Sequence, residues 1–217
     1  MHSLVLPGVY APQDDTALLA EALAAEPLPP GARVLDVGTG SGALALEAAR
    51  RGARVTAVDV SRRAVWTARL NAWLARLPVH IRRGNLFGPV RGGSFDVILA
   101  NPPYVPAPGA RGEPRGRSRA WDAGHDGRLV LDRLCRDAPA LLRPGGVLLI
   151  VHSALSGPGH TVDRLRAAGL KAAVVRRRWI ALGPVLRARR SWLRERGLLS
   201  AADEKEELVV IRAERTL

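Results

Sequence analysis

Asn101-Pro102-Pro103-Tyr104 follows directly on an apolar run, Phe95-Asp96-Val97-Ile98-Leu99-Ala100. That run reads as a buried parallel strand, and two consecutive prolines cannot continue a central strand. The tetrad therefore sets an amide, a rigid carbonyl and an aromatic ring at the carboxyl edge of a sheet, where open α/β folds bind their ligands. Such a group suits a planar nitrogen whose lone pair is tied up in conjugation. No ordinary side chain is basic enough to deprotonate that nitrogen near neutral pH. Acceptors on both of its N–H bonds can instead hold it and let it pyramidalise as charge develops. Asn101 Oδ1 and the Pro102 carbonyl supply those acceptors, Pro103 stiffens the second of them, and Tyr104 gives a ring to stack on. The chemistry this favours is methylation of an amide or amine nitrogen.

A second group of residues suits a methyl donor. Asp36-Val37-Gly38-Thr39-Gly40-Ser41-Gly42 joins an apolar strand to the next helix, and its glycines let the backbone turn tightly against a ligand. The spacing is G-x-G-x-G with an acid before the first glycine, unlike the G-x-G-x-x-G of dinucleotide sites, which favours S-adenosylmethionine. Asp59 ends the second strand, where a carboxylate can accept both ribose hydroxyls; an acid there can also simply cap a helix. Asn85, in Gly84-Asn85-Leu86-Phe87, offers an amide to the adenine amino group, with Leu86 and Phe87 flanking the ring. The histidines are not spaced as ligands, so no metal site is expected. Cys135 lies at helical spacing among Leu131, Leu134 and Ala138 and reads as a buried small hydrophobe.

The elements needed to position these residues are legible. Asp14–Ala25 is a helix stopped by Pro27-Leu28-Pro29-Pro30. Strands are expected at Arg33–Val37, Arg54–Asp59, Val79–Arg82, Phe95–Ala100 and Gly146–His152. Helices are expected at Ala43–Arg51, from an N-cap at Ser61 to about Ala75, and near Arg128–Leu142. Alternation of this kind predicts a Rossmann-like α/β fold with a mostly parallel sheet covered by helices on both faces. Lys171–Arg178 and Glu207–Arg212 complete seven strands, the last inserted antiparallel. The expected organisation is one domain: a cofactor-covering helix over 1–30, a cofactor and catalytic core over 31–152, and C-terminal helices with the closing strand pair over 153–217. Arg111 to Arg119 reads as a loop.

The 217 residues suit one such domain. No apolar stretch is long enough for a transmembrane helix, and the start lacks the layout of a secretory signal, so a cytoplasmic protein is expected. The formal charge of +13, carried almost wholly by arginine, favours a polyanionic neighbour such as RNA or the ribosome; a solvated surface with a composition bias accounts for it equally well. Arg187, Arg189, Arg190, Arg194 and Arg196 form a basic segment that could dock a partner or face solvent.

Together these motifs resemble the HemK-like methyltransferases, which modify the glutamine of the Gly-Gly-Gln motif in peptide-chain release factors. The resemblance covers Val9-Tyr10 with Pro12, Asp15 and Thr16, the Asp36-to-Gly42 turn, Asp59, Gly84 to Phe87, Asn101 to Tyr104, Trp121-Asp122 with Gly124 and Gly127, and Leu142 to Gly146. It implies a class I S-adenosylmethionine-dependent enzyme. Thr16, Asp36, Gly38, Gly40, Asp59, Asn85 and Leu86 would contact the cofactor, Asn101, Pro102, Pro103 and Tyr104 would hold the substrate amide, and a small activating subunit could be required. Length places the likeness nearer the short, single-domain branch, with nothing before Val9 to form an extra helical domain. Ala11 stands where the family usually has glutamate, and Asn85 where it often has aspartate. Three rivals remain at this stage: a nucleic-acid methyltransferase acting on adenine N6 or guanine N2, a cofactor-binding partner protein without turnover, and a small-molecule methyltransferase.

Overall fold

The computed structural model describes residues 4–108, 120–200 and 202–216; the loop expected at 111–119 lies outside them. Seven strands form one sheet: β1 (Arg33–Val37), β2 (Arg54–Asp59), β3 (Val79–Arg83), β4 (Phe95–Ala100), β5 (Leu142–Ser153), β6 (Leu170–Ala181) and β7 (Lys205–Arg215). Their spatial order is β3-β2-β1-β4-β5-β7-β6. The first five run parallel, and β7 is inserted antiparallel between β5 and β6.

The central strands are apolar on both faces because both faces are covered. Leu35, Ile98, Leu148, Ile150 and Ile211 pack with residues of α4 (Leu131–Asp137) and α5 (Pro158–Ala167). Val34, Val97, Leu99, Leu149, Leu208 and Val210 face the other way, against α1 (Asp14–Ala25) and α2 (Ala43–Arg50). Pairing of β1 with both β2 and β4 brings the glycine turn, Asp59 and the Asn-Pro-Pro-Tyr tetrad to the same edge. Arg51 donates to Leu23 O and Glu26 O, capping the carbonyls that end α1.

The helix α3 (Arg62–Leu74) starts on Ser61, whose hydroxyl accepts from Ala64 N as the sequence suggests. It leaves Trp66, Leu70, Trp73 and Leu74 exposed at i, i+4, i+7 and i+8. The helix expected over Arg128–Leu142 is shorter: α4 stops at Asp137 and a 3₁₀ turn covers Ala138–Leu141. Pro139 lacks the N–H that would continue it. The basic segment folds into α6 (Pro184–Ala188) and α7 (Arg190–Glu195) around Leu182, Leu186, Leu193 and Leu199. Three of its arginines are used internally, Arg194 by donating to Ser200 O. Arg189 pairs with Asp122 at 2.6 Å and donates to Pro106 O, and Arg190 donates to Asp203 O.

A buttress stands behind the tetrad. The Ser156 hydroxyl donates to Tyr104 O at 2.7 Å. The buried Arg128 guanidinium joins Asp132, Ser156 O, Gly157 O and Thr161 Oγ1. Gly127 packs into this group with φ +72°, and a Cβ there would strike Tyr104 O and come within 2.5 Å of Ser156 Oγ. Left-handed backbone costs a non-glycine residue about 1–2 kcal/mol before any clash. Gly127→Ala should therefore lower stability by about 2 kcal/mol or more in urea unfolding; an unchanged midpoint would show that the buttress tolerates a side chain.

Candidate active site

A cavity of about 840 Å³ opens along the carboxyl edge of the sheet. At one end lie Gly38, Gly40, Asp59, Asn85 and Leu86, and beyond them Asn101 to Tyr104 with Ile180, Ala181, Glu206 and Leu208 of the closing strand pair. The residues before α1, from Gly8 to Gln13, also line it.

Asp15, at the start of α1, is the hub of the acceptor end and is almost wholly buried. Its Oδ2 accepts from the Tyr10 hydroxyl at 2.7 Å and the Tyr104 hydroxyl at 3.1 Å. Its Oδ1 accepts from Thr16 N at 2.5 Å and from the Thr16 hydroxyl at 3.1 Å. Thr16 Oγ1 in turn accepts from Asn101 Nδ2 at 3.3 Å. An amide has one donor end and one acceptor end, so committing Nδ2 to Thr16 leaves Asn101 Oδ1 as the free end. Neither that oxygen nor Pro102 O receives a hydrogen bond from any described residue. Burial, with the Asp15 charge next, pushes both tyrosine hydroxyls above their ordinary range, so both stay protonated donors.

The cofactor end is built from backbone donors. Asp59 Oδ2 accepts from Gly40 N at 2.9 Å and Oδ1 from Ser61 N at 2.8 Å. Burial raises this carboxyl above its ordinary range, and the backbone N–H groups of Ser61, Gly40 and Val60 oppose the shift. Each carboxylate oxygen can take a further donor, so the group can still receive a pair of hydroxyls. Gly38 and Gly40 sit at positive φ beside Asn101 O and Tyr10 O, and neither presents a side chain to the cavity. Asn85 is exposed and Leu86 partly buried, both on the wall.

Several expectations shift with these positions. Thr16 lines the cavity, yet its hydroxyl is occupied by Asp15 and Asn101. Asp36 lies behind the glycine turn and not on the wall, buried, with Oδ2 accepting from Thr39 Oγ1 at 2.5 Å and Ala45 N at 3.2 Å. It shapes the turn from beneath. Phe87 does not flank the cavity: Leu86 takes a left-handed φ of 47°, which turns the chain and sends the Phe87 ring into the core. Among the described residues no cluster could hold a metal, and no helix is long and apolar enough to cross a membrane. Cys135 is buried, as its spacing suggests.

Two residues escaped the sequence reading. Asp15 had a motif place but no role, since nothing local marks it as the partner of Tyr104, which is 89 positions away. Glu206 lies one residue before the strand expected from Glu207. The alternation Glu206, Leu208, Val210 was available to mark it as facing the core side.

Asp36 gives the site a pH signature. Burial lifts its pKa from 3.8 to about 6, against hydrogen bonds from Thr39 and Ala45 that lower it. The folded chain thus holds this proton more tightly than the unfolded chain, so the contribution to stability is complete below the unfolded value and lost as pH rises through about 6. Asp36→Asn should gain on wild type by about 2–3 kcal/mol between pH 4 and pH 8 in thermal or urea unfolding. A pH-independent difference between the two proteins would contradict this.

Comparison with known proteins agrees with the geometry. Residues 3–111 match the family model described as Methyltransferase small domain. A relative from Methanocaldococcus jannaschii, named as a protein N5-glutamine methyltransferase, is 36% identical over 169 residues, covering 77% of this chain and 84% of that one. The release factor glutamine methyltransferase of Gloeobacter violaceus is 41% identical over 155 residues, 67% of this chain and 54% of its own. The chain spans about half the length of such bacterial relatives. Among solved structures, the E. cuniculi Mtq2–Trm112 complex, described as methylating the eRF1 translation termination factor, has a chain that superposes with a TM-score of 0.68 at 24% identity, covering 96% of this chain and 99% of that chain. With a class I fold, the glycine turn and the Asn-Pro-Pro-Tyr edge in place, the chain belongs to the S-adenosylmethionine-dependent protein N5-glutamine methyltransferases of the HemK-like family.

Proposed function

We propose that this chain methylates the side-chain amide nitrogen of a glutamine in a protein, a peptide-chain release factor being the acceptor its relatives' names favour. The observation that carries the reading is the fixed Asn101 amide. Its Nδ2 is held by Thr16 Oγ1, so Oδ1 is the end that meets the acceptor, beside an unused Pro102 carbonyl. Asn101, Pro102 and Tyr104 are the catalytic residues in this reading, and Pro103 completes the substrate contact.

Asn101 Oδ1 and Pro102 O accept the two N–H bonds of the incoming NH₂ group. Both bonds strengthen as positive charge develops on nitrogen, so they stabilise the transition state more than the ground state. Tyr104, tethered to Asp15, holds a ring face against the planar amide. Gly38, Gly40, Asp59, Asn85 and Leu86 would hold S-adenosylmethionine, which when bound supplies an electrophilic methyl group. Asp59 has the acceptor capacity for two ribose hydroxyls. Asp36 contributes by shaping the turn, and Thr16 by fixing Asn101.

A small activating subunit belongs to the same proposal. The solved neighbour is a complex of two proteins, and the apolar face of α3 with Trp66 and Trp73 is uncovered here. Contact with RNA or the ribosome through the basic surface has weaker support, because Arg189 and Arg190 are engaged within the fold.

Radiolabelled methyl transfer into cell extract, with and without ribonuclease, tests the acceptor. Label on a release-factor glutamine is the expected result; label confined to RNA would replace it with a base-amine acceptor. Asn101→Ala should bind the cofactor within a few-fold of wild type by calorimetry while single-turnover methylation falls about 10²–10³-fold. Parallel loss of both would remove Asn101 from the chemistry.

A further inference from the structure

Glu206 is a buried cavity-wall carboxyl to which neither the mechanism above nor the family resemblance assigns a role. It lies near the start of β7, on the same face as Leu208 and Val210, and is 6% exposed. β7 runs antiparallel to β5 with Leu208 opposite Ser153, so Glu206 extends past the carboxyl end of β5. It therefore stands at the edge that carries the tetrad, on the side away from Asp59.

Its surroundings explain what it can do. The Ser153 side chain hydrogen-bonds the carboxyl group, yet Oε2 has no partner among the described residues. A buried carboxylate oxygen without a donor is costly, and the aliphatic side chains further along this face of β7 show what an inert residue would be. Asp15 on α1 is the charged group facing it; Tyr10 before α1 and Tyr104 after β4 both sense its charge, and Ile180 is its neighbour on β6. His152 and its neighbour Arg128 lie on the opposite face of the sheet, where His152 pairs with Val209. Asp15 is saturated by its four hydrogen bonds. Glu206 is not.

Resting on the reading that the acceptor amide binds at Asn101, we infer that Glu206 is a further acceptor-binding residue: its free carboxylate oxygen receives a hydrogen bond from an N–H of the polypeptide segment entering the cavity. The contact is strongest in the ionised form, whose hydrogen bond is charge-assisted. Burial, opposed by the Ser153 bond and aided by Asp15, lifts this carboxyl from 4.5 to about 7. Recognition of the acceptor then strengthens as pH rises through neutrality, while cofactor binding does not follow Glu206.

The test uses full-length release factor as acceptor. For wild type, kcat/KM for release factor, and its affinity measured by calorimetry without turnover, should rise about tenfold from pH 6 to pH 8. Glu206→Gln should flatten that rise, and Glu206→Leu should lower kcat/KM about 10–100-fold at pH 8, with cofactor affinity within a few-fold of wild type. A flat wild-type profile, or a Glu206→Gln profile identical to wild type, overturns the inference even if the variants prove unstable, because the first measurement needs none. Absence of any methyl transfer to release factor by the wild type overturns the underlying acceptor reading instead, and this inference with it.

Discussion

The acceptor end of this protein depends on one buried carboxylate. Asp15 gathers two phenols, a hydroxyl and a backbone N–H, drawing together two separate stretches of chain. Hydrogen bonds to an ionised group are about twice as strong as neutral ones, and Asp15 accepts four. What the network delivers is orientation. Through Thr16 it decides which end of the Asn101 amide faces the cavity, and through Tyr104 it anchors the ring beside it. A side-chain amide free to flip would present a donor as often as an acceptor, which would repel the very N–H it must bind.

The rest of the fold supplies places for that network to stand. Parallel pairing of β1 with β4 puts Asn101 beside the glycine turn, and α1, capped by Arg51 and tied by Glu26 to Arg212 of β7, holds Asp15 over the same edge. Arg128 and Gly127 fill the space behind Tyr104. The strongly basic chain thus keeps an acidic interior at its acceptor end, with Asp15 and Glu206 on the α1 side of the sheet. Preorganised groups of this kind act without reorganising at the moment of reaction.

Much of this was legible in the residues, for physical reasons. Apolar runs punctuated by glycine and proline gave the strand and helix alternation, and two-sided burial explains why the central strands read as unbroken apolar runs. Glycine turn, Asp59 and tetrad were readable because each ends a strand, and parallel strands must bring their ends together. Long-range polar contacts were not readable: Tyr104 to Asp15 and Arg189 to Asp122 join segments that no periodicity links. Phe87 was misplaced because a left-handed leucine is invisible to pattern. Glu206 was missed by the placing of a strand boundary, where a single residue decides whether an acid is solvated or faces the site.

The central claim is that Thr16 holds Asn101 so that its oxygen, and not its nitrogen, meets the acceptor NH₂. Single-turnover methyl transfer by Thr16→Val and Thr16→Ser tests it most directly. The account predicts that Thr16→Ser, which keeps the hydroxyl, stays within a few-fold of wild type while Thr16→Val loses about 10–100-fold in rate. Equal rates for valine and serine at this position would contradict it.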